Sequence, residues 1–170
     1  MAQHTKPPHG RPVSQAVVDA VLDAVAKTCH ERGLQFTIIR RQVMETLIHA
    51  GQPLGAYELM PALERTLGRR LAPPTVYRAL EFLRDQHFVS RIESRNAFVP
   101  CAHPDHPHAC VFFLCDNYGA STELEDSTIE KAVTRDAASL GFRIARHVVE
   151  LQGTCATCLA TGSHAAAHYS

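Results

Sequence analysis

Ten residues, CAHPDHPHAC, place two thiols and three imidazoles between Cys101 and Cys110. Thiolate and imidazole are ordinary zinc ligands, so donors at this density mark a metal-binding segment; the plainer alternative is a polar loop. Farther on, Cys155-Ala-Thr-Cys158 has the spacing of a knuckle that offers two thiolates to one ion. The same spacing serves thiol–disulfide exchange, but the βαβ setting of a thioredoxin-like site is missing, and structural zinc is the expectation. His4, His9, His164 and His168 sit in tails and are assigned no role.

The whole chain limits the chemistry further. Its 170 residues allow one domain or two small ones. No stretch of eighteen apolar residues occurs, which argues against a membrane span. The opening MAQHTKPPHGRPVS lacks the apolar segment of a secretory signal and reads as a flexible tail. Six cysteines without an export signal point to a reducing cytoplasm, where metal ligation is favoured over disulfides. The formal net charge is zero, yet residues 1–100 carry a surplus of basic residues and residues 101–170 a surplus of acidic ones. A basic front and an acidic, Cys/His-bearing back suggest two jobs on one chain.

The elements that would position these donors follow from periodicity. Ser14 can cap a first helix with Val17, Val18, Val21, Leu22 and Val25 apolar, ending at Gly33. Thr37 can cap a second, with Ile38, Val43, Met44, Leu47 and Ile48 facing a core. The third, AYELMPALERTLG, contains Pro61, which is expected to break or kink it unless it lies near the first turn. The fourth opens at APPTVYRALEFLRDQ, with Pro74 presetting the first turn. Its core stripe is Val76, Ala79, Leu80 and Leu83; Tyr77, Arg78, Glu81 and Arg84 lie opposite. HFVSRIESRNAFVPC then alternates about SRN as a β-hairpin. Helices followed by a hairpin, with Tyr77 and Arg78 near the start of the last helix, have the order of a winged helix-turn-helix. There the last helix enters the major groove, and arginine can pair with guanine. Periodicity alone also permits an ordinary solvated face.

LAPPTVYRALEFLRDQHFV, with the upstream FTIIRRQV and AYEL, resembles the DNA-binding domain of the ferric uptake regulator family, and within it the zinc uptake regulators. The resemblance runs from about residue 16 to Cys158. It implies an α+β protein: a flexible tail over 1–14, a winged helix-turn-helix domain over 15–100, a small α/β metal-binding dimerisation domain over 101–160, and a second tail over 161–170. By position, Arg78 matches the family's base-reading arginine. Tyr57, Thr75 and Tyr77 match residues near bases or phosphates, and Arg40 matches the arginine of a helix-start motif. Arg91 and Arg95, on the hairpin, are natural phosphate contacts in their own right. Ile38 stands where the family usually carries proline.

In the back half, VFFLC (111–115) reads as a strand, ELEDSTIEKAVTRDAASLG as a helix and FRIARHVVELQGTC as a strand. So small a unit has little core of its own, and in the resembled family it pairs with a second copy. The implied partners are that copy and pseudo-palindromic double-stranded operator DNA, with no membrane. A second CxxC completes a four-cysteine zinc site in the family; here Tyr118 replaces its last cysteine, leaving Cys115, Cys155 and Cys158. Cys101, His108 and Glu123 match three of four ligands of the family's sensor site. The fourth position is Ser90, for which His103 or His106 could substitute, with His87 a weaker candidate. Glu130 and His147 match an auxiliary site of some relatives, against the alternative of a surface Glu and an ordinary strand His.

The implied function is a zinc-responsive transcriptional repressor of zinc-uptake genes. An iron or peroxide sensor of the same family is the alternative, disfavoured by Cys101 among the ligands because thiolate suits zinc. A zinc enzyme using Glu123 as acid and base is the other, and neither HExxH nor HxE with PCxxC is present.

Overall fold

The computed structural model describes residues 13–101, 110–124, 126–144 and 148–162. The chain divides into two compact units, Met1–His106 and Pro107–Ser170.

Four helices build the first unit: α1 Gln15–Glu31, α2 Ile38–Ala50, α3 Ala56–Leu67 and α4 Pro73–Asp85. On α1, buried Val18, Leu22, Val25 and Cys29 recur at helical spacing, and on α4 so do Val76, Ala79, Leu80 and Leu83. These stripes close on Val43, Met44 and Leu47 of α2 and Leu59 and Leu63 of α3 in one core. At the start of α2, the Thr37 hydroxyl accepts from the Arg40 N–H at a long 3.5 Å, and Ile38 is exposed. Ser14 stands at the α1 N-cap without a side-chain bond.

Of the two outcomes expected at Pro61, a break does not occur: α3 continues through it to Gly68, which is left-handed with φ 64°. Pro61 deprives the Tyr57 carbonyl of a helical donor, and both residues are exposed, so water can replace that bond. Glu58 Oε2 accepts from the Gly55 N–H at 2.6 Å and holds the first turn.

Strands β1 (Val89–Ile92) and β2 (Ala97–Pro100) form the antiparallel hairpin after α4. Leu54 adds a short third rung, exchanging both backbone bonds with Phe98 at 3.1 and 2.9 Å. The junction of α4 and β1 is a Schellman turn: Phe88 N–H reaches Leu83 O at 2.8 Å and His87 N–H reaches Arg84 O at 3.0 Å. Its left-handed position, filled by glycine after α1, α2 and α3, is His87 here, with φ 63°. A non-glycine residue in that region costs about 1 kcal/mol or more. His87→Gly is therefore expected to raise the thermal midpoint of this unit by about 4–8 °C; an unchanged midpoint in a calorimetric melt would show the strain to be relieved elsewhere.

The second unit has β3 Cys110–Cys115, β4 Ser121–Leu124, α5 Ser127–Ser139, β5 Val148–Gly153 and α6 Ala156–Ala160. Its sheet has the order β4-β3-β5, antiparallel on one side and parallel on the other. Two expectations change. Glu123 and Leu124 pair with β3 as part of β4 instead of opening the helix, which starts at Ser127 because Asp126 Oδ1 accepts from the Thr128 N–H at 2.7 Å. That bond holds the Asp126 carboxyl below its usual range, so the cap is present at neutral pH and is lost as pH falls through the folded value. Of the expected second strand, Val148–Gly153 is β5; Gly141, at φ 67°, ends the preceding helix, 142–144 belong to no element, and 145–147 lie outside the described residues. No residue of α5 is buried within the protomer, and Leu140 and Phe142 beyond it are exposed.

Candidate metal centre and nucleic-acid interface

Parallel pairing of β3 with β5 sets Cys115 opposite Gly153, two residues before Cys155. The Asp116 N–H reaches Gly153 O at 2.9 Å and locks the two strand ends together. Cys155 then stands at the N-cap of α6, whose first turn carries Cys158 back to the same point. The three sulfurs lie within 4.8 Å of one another, and Cys115 Sγ is 3.7 Å from Cys158 Sγ. Tetrahedral zinc with Zn–S bonds of about 2.3 Å requires sulfurs about 3.8 Å apart, so this edge already has the needed length. Cys115 and Cys158 are buried.

The electrostatics favour the thiolate at Cys115. Burial pushes the Cys115 thiol up, but N–H donors from Cys155, Tyr118 and Asn117 outweigh it and bring the thiol down to about 7. Those donors to one sulfur are the backbone half of a knuckle, preserved although its second cysteine is absent. Cys158 moves the other way, to about 11, through burial and then its crowding by the other two sulfurs. Zinc loading therefore releases protons. Tyr118, where a fourth thiolate would complete the set, is exposed; a phenolate with a pKa near 10 is a poor substitute. Tyr118→Cys should make the bound zinc resist chelation and raise the thermal midpoint. The check is zinc transfer to a chromogenic chelator, and unchanged transfer together with an unchanged midpoint would contradict a three-thiolate site.

The candidate DNA-contacting residues gather at the N-terminal end of α4. Arg78 is exposed, Thr75 and Tyr77 half-buried. Tyr57 projects from the first turn of α3 and meets the Tyr77 ring edge-on, with centroids 6.4 Å apart. Two phenols and a guanidinium thus share one neighbourhood. Arg40 is half-buried, with its guanidinium 3.4 Å from the Phe82 ring centroid and bonded to the Gln35 carbonyl. It ties α2 to α4, a contact for which the sequence carries no pattern. Arg91 is engaged inside the hairpin: Nη2 donates to Asn96 Oδ1 at 2.8 Å, and Nε lies 3.3 Å from Glu93 Oε2 without hydrogen-bond alignment. Arg95 is half-buried in the hairpin turn.

Of the sensor candidates, Cys101 follows β2 and is half-buried, its N–H donating to Phe88 O at 3.0 Å. That bond extends the ladder, so Ser90, opposite Val99, lies on the same hairpin face as Cys101. His87 is exposed and precedes that rung. Glu123 lies on β4 opposite Phe112, and Glu130 is exposed on α5. His103, His106, His108 and His147 lie outside the described residues, as do the tail histidines.

The profile of the ferric uptake regulator family matches residues 31–152. The zinc uptake regulation protein of Escherichia coli (strain K12) is 34% identical over 148 residues, 86% of each chain. A solved zinc uptake regulator complexed with zinc and DNA superposes with a TM-score of 0.82 at 33% identity, over 86% of this chain and 97% of that one. The crystal structure of holo XcZur gives 0.77 at 40% identity, over 84% and 99%. By this profile match and this identity over nearly its whole length, the chain belongs to the ferric uptake regulator family.

Proposed function

We propose that this chain is a zinc-responsive, DNA-binding transcriptional regulator, acting as a homodimer in the cytoplasm and most simply repressing zinc-uptake genes. The observation that carries the reading is its likeness, over nearly its whole length, to a regulator solved with zinc and DNA. The cysteine cluster supports zinc as the metal, since three soft thiolates favour it over the oxygen-rich sites of harder ions. An α5 with no fully buried residue in the protomer, with exposed Leu140 and Phe142 after it, supports pairing with a second copy.

Residues 15–100 bind DNA and 101–160 bind metal and dimerise, between tails over 1–14 and 161–170. Arg78 reads base edges while Tyr57, Thr75 and Tyr77 set the register of α4; Arg91 and Arg95 support the wing against the backbone, and Arg40 holds α4 in position. Cys115, Cys155 and Cys158 form the structural site. Cys101, His108 and Glu123, with His103 or His106 in place of the ligand missing at Ser90, form the sensor. Glu130 and His147 remain candidates for an auxiliary site. Sensor ligands from both halves of the chain let the metal favour the arrangement that fits the operator, and apparent DNA affinity falls with the fraction of dimers in it.

The test is fluorescence anisotropy on palindromic promoter DNA at buffered free zinc, iron(II) or manganese(II). Zinc should tighten binding at the lowest free concentration, and Cys101→Ser should remove the response while zinc at Cys115, Cys155 and Cys158 is retained. Tightening by iron(II) alone would shift the reading to the iron or peroxide branch of the family.

A further inference from the structure

We propose that Arg69 and Arg70 form a sequence-independent phosphate clamp at the entry to α4, gripping the backbone of double-stranded DNA beside the groove that α4 enters. The inference rests on the DNA-binding reading above and adds residues to which that reading gives no role.

Between residues 65 and 80 the chain carries four arginines, Arg65, Arg69, Arg70 and Arg78, and no acidic residue. Arg65 folds back on its own helix, its Nε donating to Pro61 O at 3.2 Å. Arg69 and Arg70 are exposed, and neither engages a protein partner among the described residues. Two adjacent unpaired guanidiniums repel one another, and an anion relieves that repulsion.

The turn that presents them is fixed at both ends. Gly68 ends α3 in the left-handed conformation. Leu71 is buried, and its N–H donates to Glu64 Oε1 at 2.9 Å. That bond occupies the Glu64 carboxylate with backbone and pins the turn just beyond the arginines. The Thr75 N–H closes on Ala72 O at 2.9 Å and begins α4. The arginines are thus held on a short, anchored link directly before the recognition helix.

The helix start explains the need. Free N–H groups at a helix N-terminus normally bind phosphate, but the first two residues of α4 are Pro73 and Pro74, which have none. Two of the four donors available at such an end are missing, and side-chain cations three to five residues upstream can replace them. Arginine suits this role, because its planar fork pairs with phosphate through two bonds.

The test compares wild type, R69A/R70A and R69K/R70K on operator and random duplexes, with zinc, across a salt series. Each phosphate contact contributes about 0.9 to the slope of log K against log salt, so two arginines from each protomer of a dimer contribute up to about 3.6. The alanine variant should lose affinity for both duplexes by the same factor, at least tenfold near 0.1 M salt, and show the shallower slope. The lysine variant should recover most of the slope, and all three proteins should melt alike. Wild-type affinity and slope in the alanine variant would overturn the clamp, as would a loss confined to the operator, since phosphate contacts carry no sequence information. Wild type that binds neither duplex would instead sink the DNA-binding reading, and the clamp with it.

Discussion

Cys158→Ser should empty the three-thiolate site and unfold the second unit while the first remains folded. Among the described residues, the apolar side chains buried in that unit are Val111, Phe112 and Leu114, beside Cys115 and Cys158. At about 1.5–3 kcal/mol for each buried side chain, that core falls short of the entropy of ordering some fifty residues. Structural zinc in small domains contributes about 10–16 kcal/mol, and a hydroxyl in place of a buried thiolate forfeits much of it. Circular dichroism should show only the melt of the helical unit, and metal analysis a loss of one zinc per chain. Hydrogen exchange should become fast over 110–153 and stay slow in α1, α2 and α4. Slow exchange over 110–115 in the zinc-free variant would mean that the sheet is held by its own packing or by the second copy.

Arg78→Ala should leave dimerisation, zinc content and thermal midpoint unchanged and remove most preference for operator over random DNA. Arg78 is exposed, so its loss opens no cavity. A bidentate arginine–guanine contact is worth about 1–3 kcal/mol of discrimination. A dimer reading two half-sites loses it twice, so the operator-to-random ratio should fall roughly 30-fold or more, at about 1.4 kcal/mol for each factor of ten. Competition binding at fixed salt measures the ratio directly. A variant that keeps the wild-type ratio would place base reading outside this turn of α4.

Legibility differs between the two halves for physical reasons. The first unit is dominated by helices whose buried residues recur at 3.6-residue spacing, so Val76, Ala79, Leu80 and Leu83 identified the core face of α4 and left Arg78 opposite. What stayed hidden there depends on tertiary contact: Leu54 pairing with Phe98, and Arg40 over Phe82. In the second unit, Ser121–Leu124 is short and runs into helix-forming residues, so local pattern favoured the helix and cross-strand pairing decided otherwise. The apolar residues of α5 marked the helix correctly, yet Ile129, Ala132 and Val133 are only half-buried in the protomer. Cys155 and Cys158 were legible from type and spacing, and Cys115 only through the family resemblance. The N–H groups of Asn117 and Tyr118 that lower the Cys115 thiol were not, because backbone donors leave no residue signature.

Zinc as an effector of DNA binding is the central claim, and linkage tests it most directly. Zinc affinity of the sensor is measured by competition with a chelator, once with the dimer alone and once with saturating operator DNA. Operator affinity is measured in parallel at low and at saturating free zinc. The account predicts that operator DNA raises zinc affinity, summed over the sensor sites of the dimer, by the same factor by which zinc raises operator affinity, and that Cys101→Ser brings both factors to one. Operator affinity that stays constant across the free-zinc range, with the sensor demonstrably filling, would contradict it.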